Sequence, residues 1–156
     1  MTEKEVLFKM EAYCSVGEHC IDDVNKKMDM LGVPADQRQN VISILLEQRY
    51  IDEQRYADAY VHDKINFAKW GKVKIAAMLR MKKISPEIID NAFDTIDDDD
   101  YIRILKEVIE SKSRTIKGRT PYEKSMKLIK SVASRGFEIP LIKQNTEDCE
   151  DILFPD

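Results

Sequence analysis

Two cysteines and a histidine near the start of the 156-residue chain have side chains that can bind a metal. Cys14, His19 and Cys20 lie within seven positions of one another. Their spacing matches no zinc knuckle, and no second pair of ligands follows downstream. We therefore predict that these thiols are buried or half-buried packing residues, and that the protein binds no metal.

The remaining titratable residues form no recognisable catalytic arrangement. His62 has no Cys, Ser or Asp neighbour at a catalytic spacing, and the chain contains no Gly-rich phosphate-binding loop. The acidic run from Asp97 to Asp100 lacks the alternating ligands and the glycine of a calcium loop, so Asp98 or Asp99 is expected to cap a helix. We predict neither an enzyme nor a cofactor.

Composition favours a helical protein. Hydrophobic residues make up 43% of the chain and charged residues 35%, with only 5 Gly and 5 Pro, a balance typical of helices rather than β-sandwiches or barrels. No apolar run approaches the length of a membrane span, and no apolar segment follows Met1. The odd number of cysteines fits a reducing compartment. These features predict a soluble, cytoplasmic protein without membrane contact.

Helix start and stop signals recur along the chain. Capping motifs, two of them with proline in the first turn, occupy Thr2–Glu5, Ser85–Glu87 and Thr120–Glu123. Gly32 and Gly136 are placed as C-terminal helix stops. No segment shows sustained alternation of apolar and polar residues, so the predicted fold class is all-α.

The stretch RYIDEQRYADAYVHDK, residues 49–64, predicts one helix start in detail. Asp52 is a good N-cap, and Ile51 and Tyr56 occupy the positions of a hydrophobic staple on either side of it. One helical face then carries Tyr56, Ala59, Tyr60 and Phe67. We interpret these aromatic side chains as packing residues rather than as a ligand cage.

Three stretches of the chain align with one another as an internal repeat. They begin at Asp22, Lys74 and Lys127, and each holds a helix, a sharp turn and a further helix. The positions with matching apolar residues are Val24, Ile75 and Leu128; Met28, Leu79 and Val132; Val33, Ile84 and Phe137; Ile88 and Leu141; and Ile89 and Ile142. We expect Phe137→Ala to destabilise the fold if the ring is buried.

The alignment predicts about three tandem three-helix repeats forming an elongated, curved helical array. The predicted boundaries are an N-terminal helix in residues 1–15, repeats in residues 16–62, 63–112 and 113–146, and an acidic C-terminal tail in residues 147–156.

Charge is distributed unevenly along the chain. The net charge of −4 argues against binding nucleic acid through the overall field, whereas two basic stretches interleaved with Trp70 and Tyr122 are compatible with a polyanion or an acidic protein. Two interpretations of Trp70 remain open: it packs against the preceding helix while Gly71 permits a tight junction, or it anchors an interface. The candidate partner-binding residues are Trp70, Lys72, Lys74, Arg80, Lys82, Lys83, Arg119, Lys124, Lys127, Lys130 and Arg135.

Several of these segments resemble the RecX family of bacterial regulatory proteins. The residues that carry the resemblance, over roughly 10–146, are Tyr50–Ala57 followed by Tyr60 and Val61, Gly71 and Lys72 with Ile84–Ile89, Arg135–Phe137 with Leu141 and Ile142, and Tyr13–Ser15 leading to Leu31–Val33. Two positions depart from the pattern. Lys83 replaces the usual glycine of the middle turn, and so predicts a turn that avoids a left-handed backbone or is strained. Gly17 stands where related chains often have arginine.

The resemblance implies a non-catalytic protein that binds the RecA recombinase, in its filament on single-stranded DNA, and modulates it, in this family most often by inhibition. Nothing in the sequence demands a dimer, so we expect a monomer. Weak contact with DNA is an additional expectation. Reversal of Lys124, Lys127 and Lys130 to Glu is expected to weaken filament binding without loss of helicity. Two alternatives remain: a helical protein that binds DNA directly, disfavoured by the net charge, and a helical adaptor for another protein.

Overall fold

The computed structural model describes residues 1–146, and this part of the chain is all-α. Its elements are α1 (Glu3–Val16), α2 (Ile21–Met30), α3 (Ala35–Glu47), α4 (Glu53–Asp63), a π-helical turn (Lys64–Ala68), α5 (Lys72–Met81), α6 (Pro86–Asp94), α7 (Asp98–Ser113), α8 (Pro121–Ala133) and α9 (Ile139–Thr146). The predicted fold class is confirmed. The predicted acidic tail, residues 147–156, lies outside the described residues.

The predicted helix starts are confirmed by their side-chain hydrogen bonds. The carboxylate of Asp52 accepts from the amide of Arg55 at 2.9 Å, and the staple residues Ile51 and Tyr56 on either side of it are both buried. The hydroxyl groups of Thr2, Ser85 and Thr120 accept amide hydrogens at the starts of α1, α6 and α8. At the start of α7 the predicted cap was wrong by one or two residues.

The cap of α7 is Asp97, not Asp98 or Asp99. The carboxylate of Asp97 accepts from the amide of Asp100 at 3.1 Å, and its extended backbone (φ −68°, ψ 130°) is the conformation that an N-cap requires. Asp98 and Asp99 lie in the first turn, where carboxylates interact favourably with the helix dipole.

The chain forms two compact units, and the first comprises residues 1–60 and 79–92. Helices α1, α2 and α3 pack on one another in this unit. Their buried side chains form one cluster, made of Val6, Met10, Val24, Met28, Val33, Val41, Leu45 and Ile51. These residues recur at helical spacing, so burial of this apolar face drives the three helices together.

The second unit comprises residues 61–78 and 93–156, of which residues up to 146 are described. Helix α7 packs against both α8 and α9, and α8 packs against α9. The ring of Phe137 is 2% exposed and lies 5.5 Å, centroid to centroid, from the ring of Tyr101. The chain between α8 and α9 is therefore held against the start of α7.

The aligned positions of the internal repeat are equivalent in burial as well as in sequence. Val24, Met28 and Val33, their counterparts Ile75, Leu79 and Ile84, and their counterparts Leu128, Val132 and Phe137 are each at most 3% exposed. In each set the last residue follows a helix end, so the same helix–turn pattern packs the same apolar positions. This agreement supports the predicted repeat, whereas the number and boundaries of the repeats remain predictions.

The predicted face of aromatic residues after Asp52 is wrong for Phe67, whose side chain is 83% exposed. The prediction assumed an uninterrupted α-helix, but α4 passes into the π-helical turn. A π-helical turn contains more residues than an α-helical one and rotates the following positions around the axis. Val61, which precedes this turn, and Ile65, which lies within it, are buried, whereas Phe67 faces solvent.

Lys83 adopts the left-handed backbone conformation. Its φ is +63°, and the amide of Ile84 donates to the carbonyl of Leu79 at 3.1 Å, which is the six-residue bond of a Schellman helix end. Gly32 has φ +75° at the end of α2. The turn after α5 therefore keeps the geometry of a glycine turn with a lysine in place of the glycine, at a steric cost of about 1–2 kcal/mol.

Across the described part of the chain, no helix combines the length and the apolar composition needed to span a membrane.

Candidate partner-binding surfaces

Two glycines bring distant parts of the second unit into direct backbone contact. The amide of Gly71 donates to the carbonyl of Arg135 at 2.8 Å, and the amide of Val73 donates to the carbonyl of Gly136 at 2.9 Å. A Cβ atom on Gly71 would lie 2.3 Å from the backbone of Gly136 and Phe137. The tight junction predicted at Gly71 is therefore present, and it requires the absence of a side chain.

This junction assembles a group of cationic side chains around the half-buried Trp70, which we call the tryptophan cluster: Lys64, Trp70, Lys74 and Arg135. The Nζ atoms of Lys74 and Lys64 lie 4.2 and 4.6 Å from a ring centroid of Trp70, within the range of cation–π attraction. Arg135 Nη1 donates to the carbonyl of Ala68 at 3.0 Å. The cluster therefore combines an aromatic surface with positive charge.

Lys72 was predicted to flank Trp70, but the structure places it elsewhere in the second unit. Its Nζ atom lies 4.6 Å from the ring centroid of Tyr101 and 5.8 Å from that of Phe93. Its amide donates to the Tyr101 hydroxyl group at 3.0 Å, and that hydroxyl group donates to Glu138 at 2.5 Å. Burial and the bond to Glu138 raise the pKa of Tyr101, so the phenol remains protonated. These contacts help to hold α5 and α9 beside α7.

The predicted lysines of α8 divide between two positions. Lys127 and Lys130 border a groove between α8 and α9 that also includes Lys143. Lys127 forms an ion pair of 3.0 Å with Glu123 and donates to the carbonyl of Lys117, and its hydrogen bond to Glu123 lowers the pKa of that carboxyl group. Lys130 is exposed.

The other two predicted cations near α8 belong to the start of that helix. Lys124 is half-buried, and its Cγ lies close to the backbone of Gly118. Arg119 is exposed and immediately precedes the N-cap Thr120. Its amide donates to the carboxylate of Glu123 at 3.2 Å. Both residues therefore border the helix start rather than the groove.

The remaining predicted cations, Arg80, Lys82 and Lys83, belong to the first unit. Lys82 Nζ lies 2.6 Å from Asp23 Oδ1 and 5.9 Å from the ring centroid of Tyr56. Burial alone would raise the pKa of Asp23, but the hydrogen bond from Lys82 outweighs it and lowers that pKa. Lys82 is therefore engaged in an internal ion pair, whereas Arg80 and Lys83 are exposed.

The cysteine and histidine side chains near the N-terminus are occupied by packing and hydrogen bonds. His19 stacks on Tyr13, with ring centroids 3.8 Å apart, and its Nδ1 lies 3.3 Å from Asp23. Burial raises the pKa of Cys20 to about 11 and also raises that of Cys14, which keeps both thiols protonated. Within residues 1–146 no group of three or more His, Cys, Asp or Glu side chains is arranged to hold a metal.

Three residues of these surfaces were missed by the sequence analysis. Lys64 lies on the Trp70 ring because the π-helical turn that begins at Lys64 brings Trp70 back to it, with the Trp70 amide donating to the Lys64 carbonyl at 2.9 Å. Lys143 borders the groove because α9 packs on α8. Phe67 is an exposed aromatic residue created by the same π-helical turn. In the sequence, only the basic composition around Trp70 indicated that residues of this region belong to a candidate surface.

The described chain is thus an all-α protein built from small helical bundles with cationic surfaces. The family model described as "RecX, second three-helix domain" matches residues 52–92, from the N-cap of α4 into α6. The protein called regulatory protein RecX in Leuconostoc mesenteroides is 26% identical over 123 residues, covering 79% of this chain and 46% of that protein. Its namesake in Lactococcus lactis is 30% identical over 138 residues, covering 85% and 47%.

A crystal structure of RecX from Lactobacillus salivarius has the same fold. It superposes with a TM-score of 0.84 at 20% identity, covering 95% of this chain and 96% of that one. The family model, the curated relatives and the solved structure all carry the name RecX, which confirms the resemblance drawn from the sequence. The chain spans about half the length of the two curated relatives described above.

Proposed function

We propose that this protein is a non-catalytic regulator that binds the RecA recombinase, in its filament on single-stranded DNA, and inhibits it. The observation that carries this proposal is the similarity of the chain to RecX proteins in sequence and fold, because the resemblance to that family implies RecA as the partner. The net charge of −4 supports a protein partner over binding to DNA through the overall field. The proposal includes a monomeric protein in the cytoplasm.

We propose the tryptophan cluster as the principal contact surface. Tryptophan and arginine are among the residues that most often dominate the binding energy of an interface, and the cluster contains both. The cation–π contacts of Lys64 and Lys74 hold these side chains near the ring before a partner arrives, which reduces the entropy lost on binding. The lysines of α8 extend the positive surface, and we propose that they contribute electrostatic attraction rather than a packed core.

The ATPase rate of RecA on single-stranded DNA, titrated with this protein, tests the proposal. We expect a dose-dependent fall that is larger when the protein is present during filament assembly. Lys74→Glu should weaken the effect, whereas Lys9→Glu, the same charge reversal at an exposed position of the first unit, should not. Trp70→Ala should weaken it more than Tyr122→Ala, which removes an aromatic ring that is 74% exposed.

The α8 surface is tested by the triple variant Lys124→Glu, Lys127→Glu and Lys130→Glu. We expect weaker inhibition at unchanged helicity, measured by circular dichroism. An unchanged ATPase rate with the unmodified protein, together with tight binding to naked DNA, would replace the proposal with direct DNA binding. Phosphate contacts would then make affinity fall steeply with salt.

A further inference from the structure

The groove between α8 and α9 is an apolar surface that the described residues leave open. Its floor is formed by Met126, Ile129, Ala133 and Ile139, and its volume is about 540 Å³. Met126 is 47% exposed and Ile139 is 49% exposed. Isolated apolar residues on a surface need no explanation, but a continuous groove of them indicates a binding surface.

Helix α8 carries two apolar faces, and its packing in the second unit uses one of them. Leu128 and Val132 are fully buried, where α8 packs against α7 and α9. Met126, Ile129 and Ala133 are spaced three and four residues apart, so they form a second stripe, roughly a third of a turn around the axis from the first. This second stripe is available to a partner.

The rim of the groove is positively charged. Lys127, Lys130 and Lys143 border it, and the residues that line it, all within residues 1–146, include no acidic and no aromatic side chain. Lys127 already pairs with Glu123 at 3.0 Å. Lys130 and Lys143 are exposed and form no ion pair with a carboxylate of the described chain. A suitable occupant therefore brings apolar side chains to the floor and carboxylates to these two lysines.

Nucleic acid and a second copy of the chain fit this groove less well. Nucleic acid supplies negative charge, but single-stranded bases bind by stacking on aromatic rings, and the floor has no ring. A second copy related by a two-fold axis presents the same surface to itself. Such a dimer would bring Lys130 and Lys143 of one molecule near those of the other, and like charges repel.

The shape of the groove fits a helix. The apolar stripe on α8, from Met126 to Ala133, is about 10 Å long at 1.5 Å per residue, which is about two helical turns. A groove between two helices accepts a third helix that presents apolar side chains at positions i, i+3, i+4 and i+7. The flexible side chain of Met126 can adapt to different neighbours. An amphipathic helix with carboxylates beside its apolar stripe therefore satisfies both the floor and the rim.

We propose that the α8–α9 groove binds an acidic amphipathic helix of another protein, with its apolar side chains on Met126, Ile129 and Ile139 and its carboxylates beside Lys130 and Lys143. Burial of the apolar floor drives the association, and the charged rim sets the orientation and speeds the encounter. The inference concerns the chemistry of the groove and does not rest on the proposed function.

Fluorescence anisotropy of a synthetic peptide, titrated with the full-length protein, tests this proposal. The probe is a fluorescein-labelled peptide of about 18 residues, long enough to form a helix, with leucine at the stripe positions and glutamate beside them. One control peptide has lysine in place of the glutamates, and another has serine in place of the leucines. We expect saturable binding of the probe and at least about tenfold weaker binding of either control.

Charge-reversal variants of the protein test the rim. Lys130→Glu with Lys143→Glu should weaken binding of the probe by about tenfold, because two attractive pairs become repulsive. Lys4→Glu with Lys9→Glu, at exposed positions of α1, makes the same change of net charge and should leave binding unchanged. Equal effects of the two variants would show that the rim has no specific role, and would overturn the proposal.

Serine substitutions test the floor. Met126→Ser with Ile139→Ser should weaken binding by at least about tenfold, whereas Phe8→Ser with Val16→Ser, two exposed apolar residues of α1, should not. Circular dichroism checks that each variant keeps its helicity, as expected for substitutions at exposed positions. Unchanged binding by the floor variant would overturn the proposal.

Amide chemical shifts of isotope-labelled protein locate the bound peptide. We expect the probe to shift the amides of Met126, Lys130 and Ala133 and to leave α1 unaffected. Shifts confined to other helices, or no saturable binding up to about 1 mM peptide, would overturn the proposal.

Two further results would give the groove to a different occupant. Shifts of the same amides when the protein alone is concentrated would assign the groove to a second copy. Shifts caused by a single-stranded oligonucleotide, but not by the peptide, would assign it to nucleic acid. None of these measurements includes RecA, so failure here and failure of the proposed function are distinguishable.

Discussion

Substitution of Gly71 by alanine is predicted to destabilise the second unit strongly. The added Cβ would lie 2.3 Å from the backbone carbon and oxygen of Gly136 and from the amide nitrogen of Phe137. A backbone cannot rotate away as a flexible side chain can, so the two segments must separate. Overpacking of this kind costs about 1–3 kcal/mol.

Separation also removes or lengthens the two backbone hydrogen bonds of the junction. The bonds run from Gly71 to Arg135, at 2.8 Å, and from Val73 to Gly136, at 2.9 Å. Each contributes about 1 kcal/mol net. The two costs are not fully additive, because moving the segments apart relieves the overlap while it breaks the hydrogen bonds. We therefore expect the free energy of unfolding to fall by about 3 kcal/mol.

Urea unfolding followed by circular dichroism measures this change, with Gly17→Ala as the control. Gly17 has an extended backbone (φ −170°) and no atom within 4 Å of the added Cβ, so alanine there should be neutral or stabilise by up to about 1 kcal/mol. Trp70 is the only tryptophan, and its fluorescence should report the displaced junction in the Gly71 variant. A fall below about 0.5 kcal/mol, as for an ordinary surface substitution, would refute the close-contact argument.

Three further substitutions test the fold. Phe137→Ala should lower the free energy of unfolding by about 3 kcal/mol because the ring is 2% exposed. Tyr122→Ala, at an exposed ring, should leave the free energy of unfolding nearly unchanged. Equal effects of the two substitutions would show that Phe137 is not a core residue. Lys83→Gly should raise it by about 1 kcal/mol by relieving the left-handed backbone, and Lys83→Ala, which keeps the strain, should not; equal gains would exclude backbone strain as the cause. Lys82→Met should destabilise the first unit at pH 7 by about 1–3 kcal/mol because it removes the cationic partner of the Asp23 carboxylate. Because the folded-state pKa of Asp23 is lowered, the pair stabilises the protein above the unfolded-state pKa of about 3.9, and this contribution disappears as the pH falls through the folded-state value. The deficit of Lys82→Met should therefore shrink on acidification, and urea unfolding that finds the same deficit at pH 3 would contradict the ion pair.

Local features of the fold were predictable from the sequence because they depend on residues within one or two turns of one another. Asp52 caps α4 through an amide three positions away, and Gly32 takes the positive φ that a helix end requires. The buried positions from Val24 to Phe137 followed from helical spacing, since an apolar face is buried whichever partner it meets. The predicted burial of Phe67 was wrong because the residue types around it do not indicate a π-helical turn.

The sequence predicted which residues belong to the candidate surfaces better than it predicted how those residues are arranged in space. The sequence identified Trp70 and its neighbouring lysines as candidates, yet it grouped Lys72 with them and gave no sign that Lys82 pairs with Asp23, 59 positions away. In each case the partner is supplied by another helix. The contribution of these residues to partner binding remains a prediction.

The sequence by itself determined that the described chain is all-α, where several of its helices begin, which apolar positions of the repeat are buried, and which family it resembles. Those properties come from capping, backbone preference and apolar periodicity, all of which act over a few residues. Only the tertiary structure decided that the segment carrying Trp70 and Lys74 lies against the segment carrying Arg135. That contact depends on two glycines, 65 positions apart, whose missing side chains let the two backbone segments touch.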